Sequence, residues 1–268
     1  VSTPEITRAR STTVDRLRVR VHDHVDAAGR AAAALVAQAL RQRIDDAGEA
    51  RIMFAAAPSQ DAVLHALCRE RDVDWSRVTA FQMDEYVGLD ADHPQAFGTY
   101  LQEHIYTFVR PGRVHLMRPD GDGAQEAERY AALLGEAPID VVCLGIGENG
   151  HIAFNDPGIA DFEDPFAVKV VELDPASRRQ QVHDGCFPSV GDVPTHAVTV
   201  TVPALLSASV AICSVPGARK RAAVQRALTG EVSEDCPASA LRRHPDGWLF
   251  LDPASTPDDL LRTDETTA

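Results

Sequence analysis

The sequence predicts an α/β protein, a doubly wound and mostly parallel sheet with helices on both faces. Three observations predict it. Short apolar runs alternate with stretches of helical periodicity along the chain. The run at 139–144 is almost wholly apolar and lacks the alternation of a half-exposed strand, as burial on both faces requires. Several apolar runs end in Gly or Pro turns that lead into the next helical stretch.

In order, residues 17–22 read as a strand, and 25–44 as a long helix rich in Ala, the strongest helix former. Residues 51–57 form a short apolar strand running into Pro58-Ser59-Gln60, where Ser59 is placed to cap a helix reaching 69. A strand at 78–83 is followed by helices at about 95–108 and 124–134, then by the buried strand at 139–144. Strands at 197–202 and 210–215, a helix at 218–228 and a last short strand at 248–251 complete the pattern. Polar, patternless ends at 1–13 and 255–268 read as disordered tails around one domain at 14–254.

The chain has 268 residues, with 26 Lys and Arg against 40 Asp and Glu, a net charge of −14. That length can enclose a sizeable core. The acidic balance argues against a nucleic-acid partner, since a phosphate backbone needs a surplus of cations, but a small anion needs only a few local ones. No apolar run approaches the roughly 20 residues that span a bilayer, so no membrane partner is expected. No secretory pattern opens the chain, and Cys68, Cys143, Cys186, Cys213 and Cys236 are scattered without a CxxC pair. Reduced thiols and a cytoplasmic location are the expectation. His93, His104, His115 and His151 share no metal-ligand spacing, so no metal and no cofactor are expected. The sequence leaves the choice between monomer and homo-oligomer open.

Ligands of such sheets bind beyond the carboxyl ends of the strands, so the loops there carry the chemistry. The first runs Phe81-Gln82-Met83-Asp84-Glu85-Tyr86. Two adjacent carboxylates on the end of an apolar strand raise one another's pKa toward that of a working base, although alone they read as an acidic cap. The second runs from Gly145 through Gly147, Asn149, Gly150 and His151 to Asn155 and Asp156. Its glycines permit tight turns and close approach of backbone amides to an anion, but their spacing is not that of a dinucleotide fingerprint. His151 has Asp156 five residues on as a carboxylate partner. The third, Val215-Pro216-Gly217-Ala218-Arg219-Lys220, sets a Lys beside a helix start, an arrangement suited to an anion. The loop at 55–60 adds the hydroxyl of Ser59. Ser59 lacks the GxSxG elbow of a serine hydrolase.

Together these loops resemble the glucosamine-6-phosphate deaminase family and, more distantly, the 6-phosphogluconolactonases that share its fold. The resemblance rests on Met83-Asp84-Glu85-Tyr86-Val87-Gly88-Leu89 and Gly150-His151-Ile152-Ala153-Phe154-Asn155, with His93-Pro94, the strand at 195–202 and Val215-Pro216-Gly217 with Lys220 in the same order. It covers about 25–252, and Tyr86 stands where a lactonase typically carries Arg. The resemblance implies that Asp84 is the general base moving a proton between C1 and C2 of the sugar and that His151 helps open the pyranose ring. Lys220 then holds the 6-phosphate with Ser59 and its neighbour Gln60, while Arg178 or Arg179 supplies a further cation. Glu85 shares the catalytic role beside Asp84, and Tyr86, Gly147 and Gly150 line the site. The implied partner is a small amino-sugar 6-phosphate.

The chain departs from the family's pattern at Asn149, where deaminases typically have Asp, at Asp156, where they have Glu, and at Ala55-Ala56-Ala57, where they have glycines. A neutral amide cannot support an imidazolium by charge, and Asp156 is one methylene shorter. The base and the phosphate clamp survive while the relay changes. The expectation is therefore C2 proton abstraction from an amino-sugar 6-phosphate, with dehydration of the N-acetylated sugar by loss of the 3-hydroxyl placed ahead of deamination to fructose 6-phosphate and ammonia. A lactonase-like hydrolysis, or binding without catalysis, stands third.

Overall fold

The computed structural model describes residues 9–261. Among the described residues, eleven strands make two sheets. β1 (Arg10–Val14), β2 (Leu17–Val21), β3 (Ala50–Phe54), β4 (Val78–Gln82), β6 (Arg113–His115), β7 (Val141–Leu144), β10 (Val210–Val215) and β11 (Gly247–Leu251) form the main sheet, in the order β1-β2-β11-β10-β7-β3-β4-β6. Every neighbouring pair in it is parallel except β1 with β2. The strand β5 (Asp84–Tyr86) pairs antiparallel with β9 (His196–Val200), which pairs antiparallel with β8 (Val168–Glu172), in a small second sheet. The helices are α1 (Val25–Ala47), α2 (Asp61–Leu67), α3 (Phe97–Leu101), α4 (Thr107–Val109), α5 (Ala124–Gly135), α6 (Pro175–His183), α7 (Val202–Leu206), α8 (Arg221–Thr229) and α9 (Asp258–Leu261). A π-helical turn at Gln102–Tyr106 joins α3 to α4, so the helix expected at 95–108 is one continuous run with a widened middle.

The period-2 pattern of the strands divides the interior into two cores, one on each face of the main sheet. Ile52, Phe54, Ile212 and Phe250 point to the core under α1 and α2. Met53, Ala211, Cys213, Leu249 and Leu251 point to the other, under α8 and the turn at Pro237–Arg243. The long helix α1 begins where His24 accepts a hydrogen bond from the Ala27 amide at 3.2 Å and ends at Gly48, whose φ of 84° is free of strain only in glycine. Its buried face is largely alanine, which lets it lie close to α2.

Three expectations need correction. Residues 10–13, read as loose, belong to the edge hairpin β1–β2. Their β-branched Thr12, Thr13 and Val14 suit a strand, and Arg242 ties the turn down through Asp15 at 2.7 Å. Ser255 and Thr256, assigned to a tail, are fully buried and bond to Asp252. The rest of the two expected tails, residues 1–8 and 262–268, lies outside the described residues. The strand expected at 197–202 stands in the small sheet, because β5 branches from the end of β4 to pair with it. All five cysteines are free, and no described helix is long and apolar enough to cross a membrane.

Helix α1 touches α2 through Gly29, where an added Cβ would lie 2.7 Å from the backbone of Ala62. Gly29→Ala is therefore expected to lower stability by about 1–2 kcal/mol, overpacking outweighing the ordinary helix-propensity gain. Chemical denaturation of both proteins would check this, and a stabilised variant would contradict it.

Candidate active site

The loops after β3, β4, β7 and β10 meet in one cleft at the carboxyl edge of the main sheet. Ala55, Ala56, Ala57, Ser59, Gln60, Met83, Asp84, Gly145, Gly147, His151, Phe154, Gln180, Gln181 and Lys220 all line it.

The adjacent carboxylates Asp84 and Glu85 have opposite surroundings. Both are buried. Glu85 accepts bonds from the backbone amides of Tyr86 (3.0 Å), Phe97 (3.0 Å) and Gly98 (2.8 Å) and from Gln82 Nε2 (3.1 Å). Desolvation still lifts its pKa, but these donors oppose the rise. Among the described residues the Asp84 carboxylate has no such donor, and burial followed by the charge of Glu85 raises its pKa well above the usual aspartate range. The two side chains alternate along β5, so only Asp84 faces the cleft. Glu85, expected in a catalytic role, instead anchors the start of α3. Tyr86, expected to line the site, is buried among Phe97, Phe154 and Phe187.

His151 stands on the glycine loop. A Cβ on Gly147 would fall 2.1 Å from the imidazole, so only glycine lets the ring lie against that backbone. Gly150 has a φ of 93° and packs on Cys236, which supports the turn from behind the cleft. Asp156 Oδ1 lies 3.0 Å from His151 Nδ1. Asn149 bridges the two: its Nδ2 donates to Asp156 Oδ1 at 2.7 Å, and its Oδ1 accepts the His151 backbone N–H at 3.1 Å and lies 2.8 Å from Nδ1. The backbone donor fixes which end of the amide faces which neighbour. Burial alone would raise the pKa of Asp156, but bonds with His151, Asn149 and Ser177 outweigh it and hold that pKa below the usual range. Asp156, expected to reach less far than a Glu, thus still meets the imidazole, because the turn between them brings the carboxylate in.

On the far side, the turn at Pro216-Gly217 presents Lys220, only 6% exposed, to the cleft. Asp252 accepts the Gly217 N–H at 2.9 Å and is itself bonded by Ser255, so the segment assigned to a tail braces this turn. Burial lowers the pKa of Lys220, with Asp184 and Glu148 acting against it. Its ammonium makes no ion pair among the described residues. Gln60 donates to the Ser214 carbonyl at 3.2 Å and packs on Gly145, so it ties loop to sheet, while Ser59 stays at the cleft. Arg178 corrects another expectation: its guanidinium bonds to the carbonyls of Val190 (2.6 Å) and Val193 (2.8 Å), outside the cleft, and Arg179 is exposed.

Sequence reasoning missed α6, which brings Gln180 and Gln181 to the cleft and Ser177 to the relay. The signal was there: Asp174 caps the helix through the Ala176 amide at 2.6 Å with Pro175 at its first position. The Gln180 side chain also accepts the Glu148 amide at 2.8 Å, pinning α6 to the glycine loop. Among the described residues no group of three or more His, Cys, Asp or Glu is gathered about a possible metal position.

The family described as glucosamine-6-phosphate isomerases/6-phosphogluconolactonase matches residues 23–250. A glucosamine-6-phosphate deaminase of Exiguobacterium sibiricum is 34% identical over 80% of this chain and 84% of its own. One from Streptococcus pneumoniae serotype 4 is 37% identical over 68% of this chain and 77% of its own. Among solved structures, a monomeric glucosamine-6-phosphate deaminase superposes with a TM-score of 0.81 at 28% identity, covering 88% of this chain and 98% of that one. A 6-phosphogluconolactonase from Shewanella baltica, with a TM-score of 0.72 at 17% identity over 90% and 97% of the two chains, shares the fold. Nothing in these relatives supports placing dehydration ahead of deamination. The chain belongs to the glucosamine-6-phosphate isomerase/6-phosphogluconolactonase family.

Proposed function

We propose that this enzyme is a glucosamine-6-phosphate deaminase, converting the open-chain aldose to fructose 6-phosphate and ammonia. The observation that carries the reading is the donor-free, buried Asp84 in one cleft with a carboxylate-backed His151 and an unpaired Lys220. Deaminases among the relatives support it, as does the contact that Asp156 keeps with His151.

Lys220 attracts the 6-phosphate as a point charge, with the Ser59 hydroxyl beside it. His151 takes the proton of the anomeric hydroxyl and returns one to the ring oxygen as the C1–O5 bond breaks and the aldehyde forms. Asp84 then removes the proton at C2, now acidic beside a carbonyl, and delivers it to C1. The nitrogen lone pair completes a ketimine, water adds at C2, and ammonia leaves. A base with a raised pKa is stronger than an ordinary carboxylate, which suits a carbon acid.

Incubation with glucosamine 6-phosphate and its N-acetylated form in parallel tests the reaction. Ammonia and ketose from the free amine are expected. Ultraviolet-absorbing product from the acetylated sugar, with no ammonia from the free amine, would overturn the reading. Lys220→Ala is expected to raise KM roughly 10- to 100-fold, corresponding to about 1.5–3 kcal/mol for a charged hydrogen bond. An unchanged KM would remove Lys220 from the phosphate site.

Asp84 must be ionised to act, so kcat is expected to fall as pH drops through its raised pKa, above the ordinary aspartate range. An acid limb at the ordinary carboxylate value would count against Asp84 as the base. Its folded pKa lies above the unfolded one, so ionisation costs stability once pH exceeds the unfolded value. Asp84→Asn is therefore expected to abolish turnover, yet to be more stable than the parent at pH 7–8 by about 1 kcal/mol. That advantage should vanish below about pH 4, near the unfolded pKa. Thermal unfolding across this pH range measures it.

A further inference from the structure

We propose that Ser177 is a positioning residue that, together with Asp156 and Asn149, sets the tautomer of His151, an inference that rests on the deaminase reading for its kinetic consequence but not for its geometry. Ser177 is 1% exposed, on α6. Its Oγ lies 2.8 Å from His151 Nδ1 and donates to Asp156 Oδ1.

A serine hydroxyl has one proton. Asp156 is held ionised below the usual carboxylate range and is therefore acceptor only. The proton of Ser177 goes to Asp156, and the Oγ lone pairs face the imidazole. Nδ1 is then surrounded by three acceptors: Ser177 Oγ at 2.8 Å, Asn149 Oδ1 at 2.8 Å and Asp156 Oδ1 at 3.0 Å. An unprotonated Nδ1 would set its lone pair against all three. Nδ1 therefore carries the proton. In neutral His151 the other nitrogen, Nε2, is left basic, with no protein partner among the described residues, on a ring that lines the cleft. That is the nitrogen ring opening needs as a proton acceptor. Both amide ends of Asn149 are already committed, its Nδ2 to Asp156 and its Oδ1 to His151, so it cannot take over the second donor bond that Ser177 gives Asp156.

The consequence is kinetic. Without the hydroxyl the imidazole loses one of its acceptors and Asp156 loses a donor that holds its carboxylate against the ring, so the Nε2–H tautomer, which is inert as a base, gains population. Ser177→Ala is expected to lower kcat about tenfold or more, part of the roughly 10²- to 10⁴-fold that a positioned acid–base group contributes, with KM within about twofold. Nitrogen NMR of protein labelled at histidine reads the tautomer directly. The parent is expected to show His151 protonated at Nδ1, Ser177→Ala a mixture or the reverse, and Ser177→Thr, which restores the hydroxyl, to recover the Nδ1–H signal and most of kcat. Thermal unfolding of each variant establishes that it is folded. Unchanged ring-nitrogen signals in Ser177→Ala would overturn the inference whatever happened to the rate, as would a threonine variant no better than alanine. A parent that gives no ammonia from glucosamine 6-phosphate would instead overturn the deaminase reading, and the NMR result would still decide the role of Ser177.

Discussion

The site depends on one asymmetry, the different treatment of two neighbouring buried carboxylates. Glu85 is surrounded by three backbone amides and a glutamine. These bonds fix the short strand β5 and the first turn of α3 to each other. Asp84 on the opposite face can then be left without a donor, because the backbone that carries it is held by its neighbour. A buried carboxylate with no donor is unfavourable to folding. It persists where the surrounding structure over-determines its position, and strong pKa perturbation of this kind concentrates at functional sites. β5 is also the point where the chain leaves the main sheet for the small one, so pairing with β9 sets the direction in which Asp84 points.

The relay behind His151 shows how a change of residue can preserve a charge arrangement. Asn149 looks like a loss, since the family pattern places a carboxylate there. In the folded protein its Nδ2 sits 2.7 Å from Asp156 Oδ1. A carboxylate in that place would set two negative charges at hydrogen-bond distance in a buried pocket, and one would have to take up a proton. The amide avoids this conflict by donating to Asp156 and accepting from the backbone of His151. The single charge of Asp156 is then available to the imidazole. Judging each position by residue type alone counts a lost charge at 149 and a shortened side chain at 156. In the folded protein both side chains nonetheless reach His151 Nδ1.

This explains what the sequence could and could not reveal. The parallel strands β3, β4, β7, β10 and β11 were legible because each is a dense apolar run followed by a turn, and the cleft followed from the rule that ligands sit at their carboxyl ends. That Asp84, His151, Ser59 and Lys220 meet in one cleft was legible because they follow such strands. Strands β5, β6 and β8 were not. They are short or lie outside the main sheet, and their register comes from pairing with distant partners such as Thr199 and Val198, which no local pattern encodes. Glu85, Tyr86 and Arg178 lie away from the cleft they were expected to line, because residue type and order do not say which way a side chain points. Glu85 and Tyr86 fell to strand alternation and aromatic packing, Arg178 to the carbonyls of a loop far along the chain. Ser177 was missed with the helix that carries it.

The charges left unpaired also describe the ligand. Asp84 and Lys220 are both buried in the cleft, yet they form no ion pair with each other or with any described residue. Burial pushes the carboxylate toward its neutral form and lowers the pKa of the ammonium. A ligand with a dianionic phosphate relieves the second strain and increases the charge on Lys220. One that places an acidic C–H bond at Asp84 uses the first, since the cost of ionising a buried base becomes driving force for taking the proton. The two demands must be met by one small molecule, anionic at one end and a masked carbonyl compound at the other. An open-chain amino-sugar phosphate satisfies both, and in the proposed reaction the His151 relay would supply the step that unmasks it.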